Sequence, residues 1–223
     1  MYATHPRRAF AAELQEWGRY MAGRRMERLG FTNHYLRGKL PSKSIVPDWA
    51  DLWNIYKLIR ERKPRVIVEL GGGCSTIMIG QALHENATKD GAEGKLYSLD
   101  MSEFWLSQTR SYLPEFMEPY CELSVGEVEA VDMEGDRVTV VKNFPRTDIN
   151  FLYVDGGLVP GIHIGADAVV LEEAAPPDYS ILIDGRVATV NFIRSYLKRK
   201  YRDQSNAIHH WTFLESTEGV NGT

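Results

Sequence analysis

The chain has 223 residues, of which 43% are hydrophobic and 25% charged, with a formal net charge of −4. This composition predicts one globular domain with a sizeable core, and no run approaches the roughly 18–20 apolar residues that span a bilayer. Cys74 and Cys121 have no metal-binding or redox spacing, and the start of the chain has no signal-peptide pattern. We therefore expect a soluble, cytoplasmic protein in a reducing compartment.

The charge is distributed unevenly along the chain. Residues 1–43 contain nine Lys or Arg and three Glu, a net charge of +6, which leaves −10 for the remainder. Such a basic segment can contact phosphate, a membrane surface or an acidic substrate. A solvated helix face is the interpretation we favour. Because aromatic residues do not interleave with these arginines, we expect no nucleic-acid partner.

The first predicted element is an amphipathic helix over residues 9–29, which Gly30 ends. Residues 32–47 follow as a loop without a hydrophobic period, and a loop of this kind can close over a site as a lid. The chain thus divides into an extension of residues 1–47, which serves as a lid or as the contact of a homodimer, and a domain of residues 48–223. The apolar residues at helical spacing in the extension are Phe10, Leu14, Trp17 and Met21.

From Asp48, a predicted N-cap, strands and helices alternate along the chain. The stretch around Glu134-Gly135 alternates with period two and predicts a hairpin. This alternation predicts an α/β fold: a Rossmann-like, doubly wound, mostly parallel sheet of seven strands with helices on both faces and an N-terminal helical extension. The predicted strands are 65–70, 95–99, 121–125, 150–154, 180–183 and a pair within 201–216, and the helices after the first strand are 75–85, 102–112, 166–175 and 188–200.

Four of these strands end in residues that can bind a ligand. Three glycines, Gly71 to Gly73, follow the first strand, Asp100 ends the second, Asp155 the fourth and Asp184 the fifth. In open α/β sheets, ligands bind at the carboxyl ends of the strands. A single aspartate at a strand end is often only the cap of the next helix. Four such ends together indicate a site.

The glycine turn has two interpretations. A dinucleotide-binding turn has a glycine at the position that Thr76 occupies here, and a pyrophosphate would be repelled by Glu69 just before the turn. A ligand with a positive charge would not be repelled. S-adenosylmethionine has an ammonium group, a cationic sulfur and no phosphate. The residues therefore favour this cofactor, and an NAD-linked oxidoreductase is the less favoured alternative.

The segment Glu69-Leu70-Gly71-Gly72-Gly73-Cys74-Ser75-Thr76 resembles the first motif of class I S-adenosylmethionine-dependent methyltransferases, and is closest to a branch of small-molecule O-methyltransferases. Tyr153-Val154-Asp155-Gly156 and Ile183-Asp184-Gly185 resemble the motifs of the fourth and fifth strands. The resemblance covers about residues 48–215. It implies a methyltransferase that acts on a small or sugar-type acceptor at oxygen. A non-catalytic module that binds the cofactor or a nucleotide is the alternative.

The resemblance also implies roles for individual residues. The glycine turn lies against the methionine part of the cofactor, Glu69 near its ammonium group, and Ser75 and Thr76 near its carboxylate. Asp100 accepts hydrogen bonds from the ribose hydroxyls. Met101 lies on the adenine ring. The cofactor-binding residues implied are Glu69, Gly71, Gly72, Gly73, Ser75, Thr76, Asp100, Met101, Glu127 at the adenine edge, and Asp155.

Methyl transfer requires an aligned acceptor and a group that takes its proton. The catalytic candidates are Asp155, His163 and Asp184, and the two aspartates stand where some family members hold Mg²⁺. The chain departs from those metal users, because six residues separate Asp155-Gly156 from His163 and Gly185 replaces a second Asp or Asn. The alternative is that both aspartates anchor loop backbone. Arg186 can pair with Asp184 or meet an anionic acceptor such as a sugar nucleotide.

Overall fold

The structure is a computed structural model that describes residues 6–30, 48–143, 148–155, 165–204 and 211–218. In those ranges no helix combines the length and the apolar character needed to cross a membrane. The helices are α1 (Pro6–Arg28), α2 (Trp49–Arg62), α3 (Cys74–Asp90), α4 (Glu103–Tyr112), a 3₁₀ helix (Glu115–Tyr120), α5 (Asp167–Glu172) and α6 (Val187–Tyr196). The strands are β1 (Val66–Leu70), β2 (Lys95–Asp100), β3 (Cys121–Val125), β4 (Val128–Met133), β5 (Asp136–Val141), β6 (Phe151–Val154), β7 (Ser180–Asp184), β8 (Tyr201–Asp203) and β9 (Trp211–Ser216).

Seven strands form one sheet in the order β3-β2-β1-β6-β7-β9-β8. The first five are parallel to one another, and β9 runs antiparallel to both of its neighbours. The chain proceeds outward from β1 to β3 and then returns to β6 on the other side of β1. The carboxyl ends of β1 and β6 therefore border the switch point where ligands bind in such sheets. The predicted Rossmann-like, doubly wound, mostly parallel fold is confirmed.

The sheet is covered on both faces. Successive side chains of a strand point to opposite faces. On one face Ile67, Tyr153 and Phe213 pack with α2 and α3, and on the other Val68 and Val154 pack with α5 and α6. Because β1, β6 and β7 are covered on both sides, their sequences are almost continuously apolar.

The helix bounds follow from specific contacts. Asp48 accepts a hydrogen bond from the N–H of Ala50 at 2.8 Å, which confirms it as the cap of α2. The next helix, α3, continues five residues beyond its predicted end at residue 85. Its last turns are held against α2, since the Asn86 amide donates to the Ile59 carbonyl at 3.0 Å.

The last helix, α6, ends at Tyr196, four residues before the predicted end at residue 200. The buried carboxylate of Glu172 accepts hydrogen bonds from the backbone N–H groups of Lys198 and Arg199, at 2.8 and 2.9 Å. These bonds replace the helical ones and lead the chain into β8. Helix α5 is likewise shorter than predicted.

Strands β4 and β5 form the predicted hairpin, apart from the main sheet. Both turn residues, Glu134 and Gly135, have positive φ values of 53° and 94°, as a tight two-residue hairpin turn requires. The hydroxyl of Tyr196 in α6 lies 3.1 Å from the Met133 carbonyl oxygen and 3.0 Å from a carboxylate oxygen of Asp136. The hairpin tip is thus attached to the domain.

Helix α1 packs on the domain through its C-terminal half. Met26 is fully buried in the core shared with α2, and the Arg19 Nε donates to a carboxylate oxygen of Asp48 at 2.6 Å. Further toward the N-terminus, Trp17 and Tyr20 are exposed. The side chain of Phe10 and residues 32–47 lie outside the described residues. The lid, the dimer contact and the boundary at residue 47 stay predictions.

Candidate functional site

The turn after β1 is held by the neighbouring strand β2. Gly71 has a φ of +100°, which favours glycine, and its N–H donates to the Leu99 carbonyl at 2.8 Å. The N–H of Gly72 donates to a carboxylate oxygen of Asp100 at 3.2 Å. A Cβ on Gly72 would lie only 3.0 Å from the Ser98 hydroxyl. Glycine is thus required at the first position by conformation and favoured at the second by space.

Glu69 lies beneath this turn and is fully buried. Its carboxyl group accepts hydrogen bonds from three hydroxyls: Ser75 at 2.6 Å, Thr76 at 2.5 Å and Ser98 at 2.6 Å. The Thr76 hydroxyl also accepts a hydrogen bond from the N–H of Gly73 at 2.9 Å. The network therefore joins β1, β2 and the start of α3, and it determines the shape of the turn.

Burial raises the pKa of Glu69 to about 7, although the hydroxyl donors act in the opposite direction. The nearby carboxylate of Asp100 raises the pKa further. The predicted contact of Glu69 with an ammonium group, and of Ser75 and Thr76 with a carboxylate, stay predictions. In the described part of the chain, Ser75 and Thr76 donate hydrogen bonds to Glu69, and none of the three lines either of the two cavities described below.

A cavity of about 240 Å³ opens at the carboxyl ends of β1, β2 and β3. We call it the first cavity. The hairpin forms one wall, and most of the surface is apolar. Asp100, Met101 and Gly71, three of the predicted cofactor-binding residues, line it, whereas the Glu127 side chain is exposed and is not part of the lining. The lining residues are Leu70, Gly71, Leu99, Asp100, Met101, Ser102, Trp105, Gly126, Val128, Thr139, Val140, Val141, Val154, Gly165 and Asp167.

Asp100 is the polar group best placed to bind a ligand in the first cavity. One of its oxygens accepts from the N–H of Gly72 and the other from the N–H of Ser102 at 2.7 Å. A carboxylate has about four acceptor positions, so acceptor capacity remains for two hydroxyl donors of a ligand. Asp100 is partly buried, which strengthens such bonds.

Asp167, at the start of α5, also lines the first cavity and was missed in the sequence. Its carboxylate accepts a hydrogen bond from the N–H of Val141 in β5 at 2.6 Å, so it fixes the hairpin wall. Burial raises the pKa of Asp167 to about 6. In the sequence this residue resembles an ordinary acid of a first helical turn, which gives no signal of its position.

The structure brings the catalytic candidates Asp155 and Asp184 close enough together for Asp184 to raise the pKa of Asp155. The pKa of Asp155 is raised well above its usual range because the group is buried and because Asp184 is adjacent. The guanidinium of Arg186 acts in the opposite direction, and it donates to the Asp155 carbonyl at 3.0 Å. The third candidate, His163, lies outside the described residues.

The same pair was predicted to hold Mg²⁺. Two carboxylates fit this ion, which usually binds through one or two carboxylates together with waters. Within the described part of the chain, however, no group of three His, Cys, Asp or Glu side chains is arranged to hold a metal. Asp155 and Asp184 thus supply at most two protein ligands, and the metal stays a prediction.

A second cavity, of about 200 Å³, lies on the other face of the sheet's carboxyl edge, between α2 and the strands β6, β7 and β9. Its wall includes Asp184, so the aspartate pair adjoins it. Neither Asp51 nor Trp211, two further lining residues, was predicted from the sequence to be a site residue. The lining residues are Asp51, Asn54, Ile55, Lys57, Leu58, Glu61, Tyr153, Leu182, Asp184, Gln204 and Trp211.

Comparison with known proteins supports the fold. No protein-family model matches the chain, and no curated protein does. A methyltransferase from Geobacter sulfurreducens superposes with a TM-score of 0.54 at 16% identity, over 85% of this chain and 97% of that protein. An O-methyltransferase from Bacillus cereus, solved in complex with SAH, superposes with a TM-score of 0.50 at 15% identity, over 82% and 87%. The chain therefore shares the fold of these methyltransferases.

Proposed function

We propose that the protein is an S-adenosylmethionine-dependent methyltransferase that acts at oxygen on a small-molecule acceptor. The observation that carries this proposal is the charge of the first cavity. Its described lining contains two carboxylates, Asp100 and Asp167, and neither Lys nor Arg. A pyrophosphate would be repelled there, whereas a nucleoside with a cationic sulfur and no phosphate fits. The shared fold supports the same conclusion.

In this proposal the ribose hydroxyls donate to Asp100, and the adenine ring lies among the apolar residues of the cavity beside Met101. The glycine turn approaches the methionine part closely, because no Cβ intervenes. Glu69 acts through the turn, whose shape it determines.

The cofactor supplies a methyl group on cationic sulfur; the acceptor oxygen bonds to this methyl carbon while the sulfur keeps the electron pair of the broken C–S bond. The chain has to position the acceptor and to take its hydroxyl proton. The Asp155–Asp184 pair is suited to take that proton, since it adjoins the second cavity. If Mg²⁺ binds this pair, it lowers the pKa of the acceptor hydroxyl.

Isothermal titration tests the cofactor. We expect S-adenosylhomocysteine to bind and NAD not to bind. Asp100→Asn should weaken the binding of S-adenosylhomocysteine by about 10-fold or more, because the charged acceptor of the ribose hydroxyls is lost. The matched control is Glu122→Gln, which removes an exposed carboxylate on β3 and should leave the affinity unchanged. Binding of NAD alone would overturn the proposal.

Methyl release from the cofactor, measured against a panel of phenols, amino alcohols and sugars, tests catalysis. The same assay with EDTA tests the metal: a loss of activity that Mg²⁺ restores supports it, and unchanged activity excludes it. If S-adenosylhomocysteine binds but no acceptor is methylated, the alternative of a non-catalytic binding module is favoured.

Two further expectations complete this proposal. A cytoplasmic location is consistent with the lack of a membrane-spanning helix in the described ranges. A homodimer through α1 would cover Leu14, Trp17 and Tyr20, which are exposed in the single chain. Light scattering of the full chain, compared with Trp17→Glu, tests the dimer, and a monomer in both would exclude it.

A further inference from the structure

The second cavity contains polar atoms that the described part of the protein leaves unpaired. The Asp51 Oδ1 and the Trp211 Nε1 are buried and have no hydrogen-bond partner among the described residues. Tyr153 is buried, with 7% of its surface exposed. All three residues line the cavity. Buried donors and acceptors are rarely left unpaired in folded proteins. The cavity therefore has the groups of a binding site.

The charged groups of this cavity are mainly negative. Asp51 and Asp184 are partly buried, while Glu61 and Lys57 are exposed at the rim. Burial is the main cause that raises the pKa of Asp51. The nearby carboxylates of Asp48 and Asp184 raise it further. Arg19, whose charge acts in the opposite direction on the pKa of Asp51, is bonded to Asp48 at 2.6 Å. Among the described residues that line the cavity, Lys57 at the rim is the single cation, while the Arg186 guanidinium lies against the Asp155 carbonyl.

Helix stability alone does not explain the position of Asp51. A carboxylate in the first turn of a helix is favoured by the helix dipole, but this effect does not require burial. Here the burial leaves an oxygen unpaired, which is unfavourable for the free protein. A ligand that donates a charged hydrogen bond to this oxygen would remove that disadvantage.

The rest of the described wall is formed by three aliphatic side chains and by the amides of Asn54 and Gln204. Ile55, Leu58 and Leu182 are the aliphatic residues of the lining, which also includes the ring of Trp211. Aromatic rings are favourable neighbours for a cation and for another ring. A ligand with a small apolar body, a cationic end and a hydroxyl end satisfies all of these groups.

We propose that the second cavity binds the methyl acceptor and that the acceptor is a small amine, with its ammonium group on Asp51 and its hydroxyl toward Asp184. That the bound amine is the methyl acceptor rests on the proposed function. Its hydroxyl oxygen would bond to the methyl carbon while the cofactor's sulfur keeps the electron pair of the broken C–S bond. The site itself rests on the unpaired atoms and charges of the cavity.

Three ligands with the same phenol ring test the charge preference: tyramine, neutral 4-ethylphenol and anionic 3-(4-hydroxyphenyl)propionate. Calorimetry is done with and without S-adenosylhomocysteine. We expect tyramine to bind about 10-fold tighter than either analogue, and Asp51→Asn to reduce this preference to less than about 3-fold. The affinity for S-adenosylhomocysteine should not change in this variant. Glu61→Gln, which removes a rim carboxylate of the same helix, is the matched control and should keep most of the preference.

A second variant keeps the test decisive if Asp51→Asn folds poorly. Lys57→Gln changes only an exposed rim residue. It should strengthen the binding of tyramine about 2-fold, because a positive charge that repels the ammonium group is removed. The proposal is overturned if an analogue binds as tightly as tyramine, if neither variant alters the preference, or if none of the three ligands binds. Failure of S-adenosylhomocysteine to bind overturns the proposed function instead, and the charge preference can still be measured on the protein alone.

Discussion

Glu69 and Asp51 are two carboxylic acids in different parts of the same site, and burial raises the pKa of each to about 7. Their surroundings differ. Glu69 accepts hydrogen bonds from three hydroxyls and is closed off from both cavities. Asp51 lines a cavity and has one oxygen without a partner in the described structure. A similar shift in pKa thus occurs for Glu69, whose hydrogen bonds are made within the chain, and for Asp51, which has an oxygen without a described partner.

This difference separates a structural carboxyl group from a candidate binding group. A buried group whose bonds are all made within the chain stabilises the local structure and has little capacity left for a ligand. A buried group with an unpaired atom beside a cavity is unfavourable in the free protein and is improved by a ligand. The perturbed pKa alone does not distinguish the two, whereas the hydrogen-bond partners do.

The largest effect is expected for Glu69→Ala. The substitution leaves three buried hydroxyls without their acceptor and creates a cavity, so we expect the free energy of unfolding at pH 5 to fall by about 3–5 kcal/mol. Urea unfolding measures this change. Glu69→Gln keeps the volume and one acceptor, and should cost only about 1 kcal/mol at the same pH. Equal losses in both variants would show that the network contributes little.

The second prediction concerns pH. The folded-state pKa of Glu69, about 7, lies above its ordinary value of 4.5, so the folded chain holds this proton more tightly than the unfolded chain. The stabilisation is complete below pH 4.5 and is lost as the pH rises through 7. From pH 5 to pH 8 this residue should lower the free energy of unfolding by on the order of 2 kcal/mol. The difference between wild type and Glu69→Gln isolates this effect, and parallel pH curves would contradict it.

A smaller change of opposite sign is expected for Asp51→Asn. The neutral amide removes a carboxylate that is unfavourable above pH 7, so the variant should be slightly more stable than wild type at pH 8 and no more stable at pH 4. Because the side chain is partly open to solvent, screening limits the gain to less than about 1 kcal/mol. Thermal melts at the two pH values test this. A marked loss of stability at pH 8 would mean that Asp51 has a structural partner, as Glu69 has.

Trp211→Phe should have the smallest effect on stability. The indole Nε1 has no partner among the described residues, so no hydrogen bond is lost, and the smaller ring keeps most of the packing. We expect a change within about 1 kcal/mol in thermal melts. The free energy of tyramine binding should change more than the free energy of unfolding. A large drop in melting temperature would instead show that Trp211 mainly stabilises the core.

The fold could be predicted largely from local patterns. Buried parallel strands are continuously apolar, and glycine, proline and capping residues mark their ends, so the order of the elements is visible in the sequence. The ends of α3 and α6 were not predicted correctly, because they depend on Asn86 and Glu172, which form hydrogen bonds with segments 27 and 26 residues away in the chain.

For the site, the sequence alone indicated the glycine turn and the aspartates at the strand ends, since strands of one parallel sheet bring their carboxyl ends to one edge. It did not indicate which carboxylates are paired within the chain and which face a cavity. Glu69 and Asp51 show why. Their residue types and helical or strand positions are local properties, but the hydrogen-bond partners of Glu69 come from β2 and α3, and the cavity beside Asp51 is formed with β7 and β9. Only the packing of these elements determined that one carboxylate completes the turn and that the other is left open to a ligand.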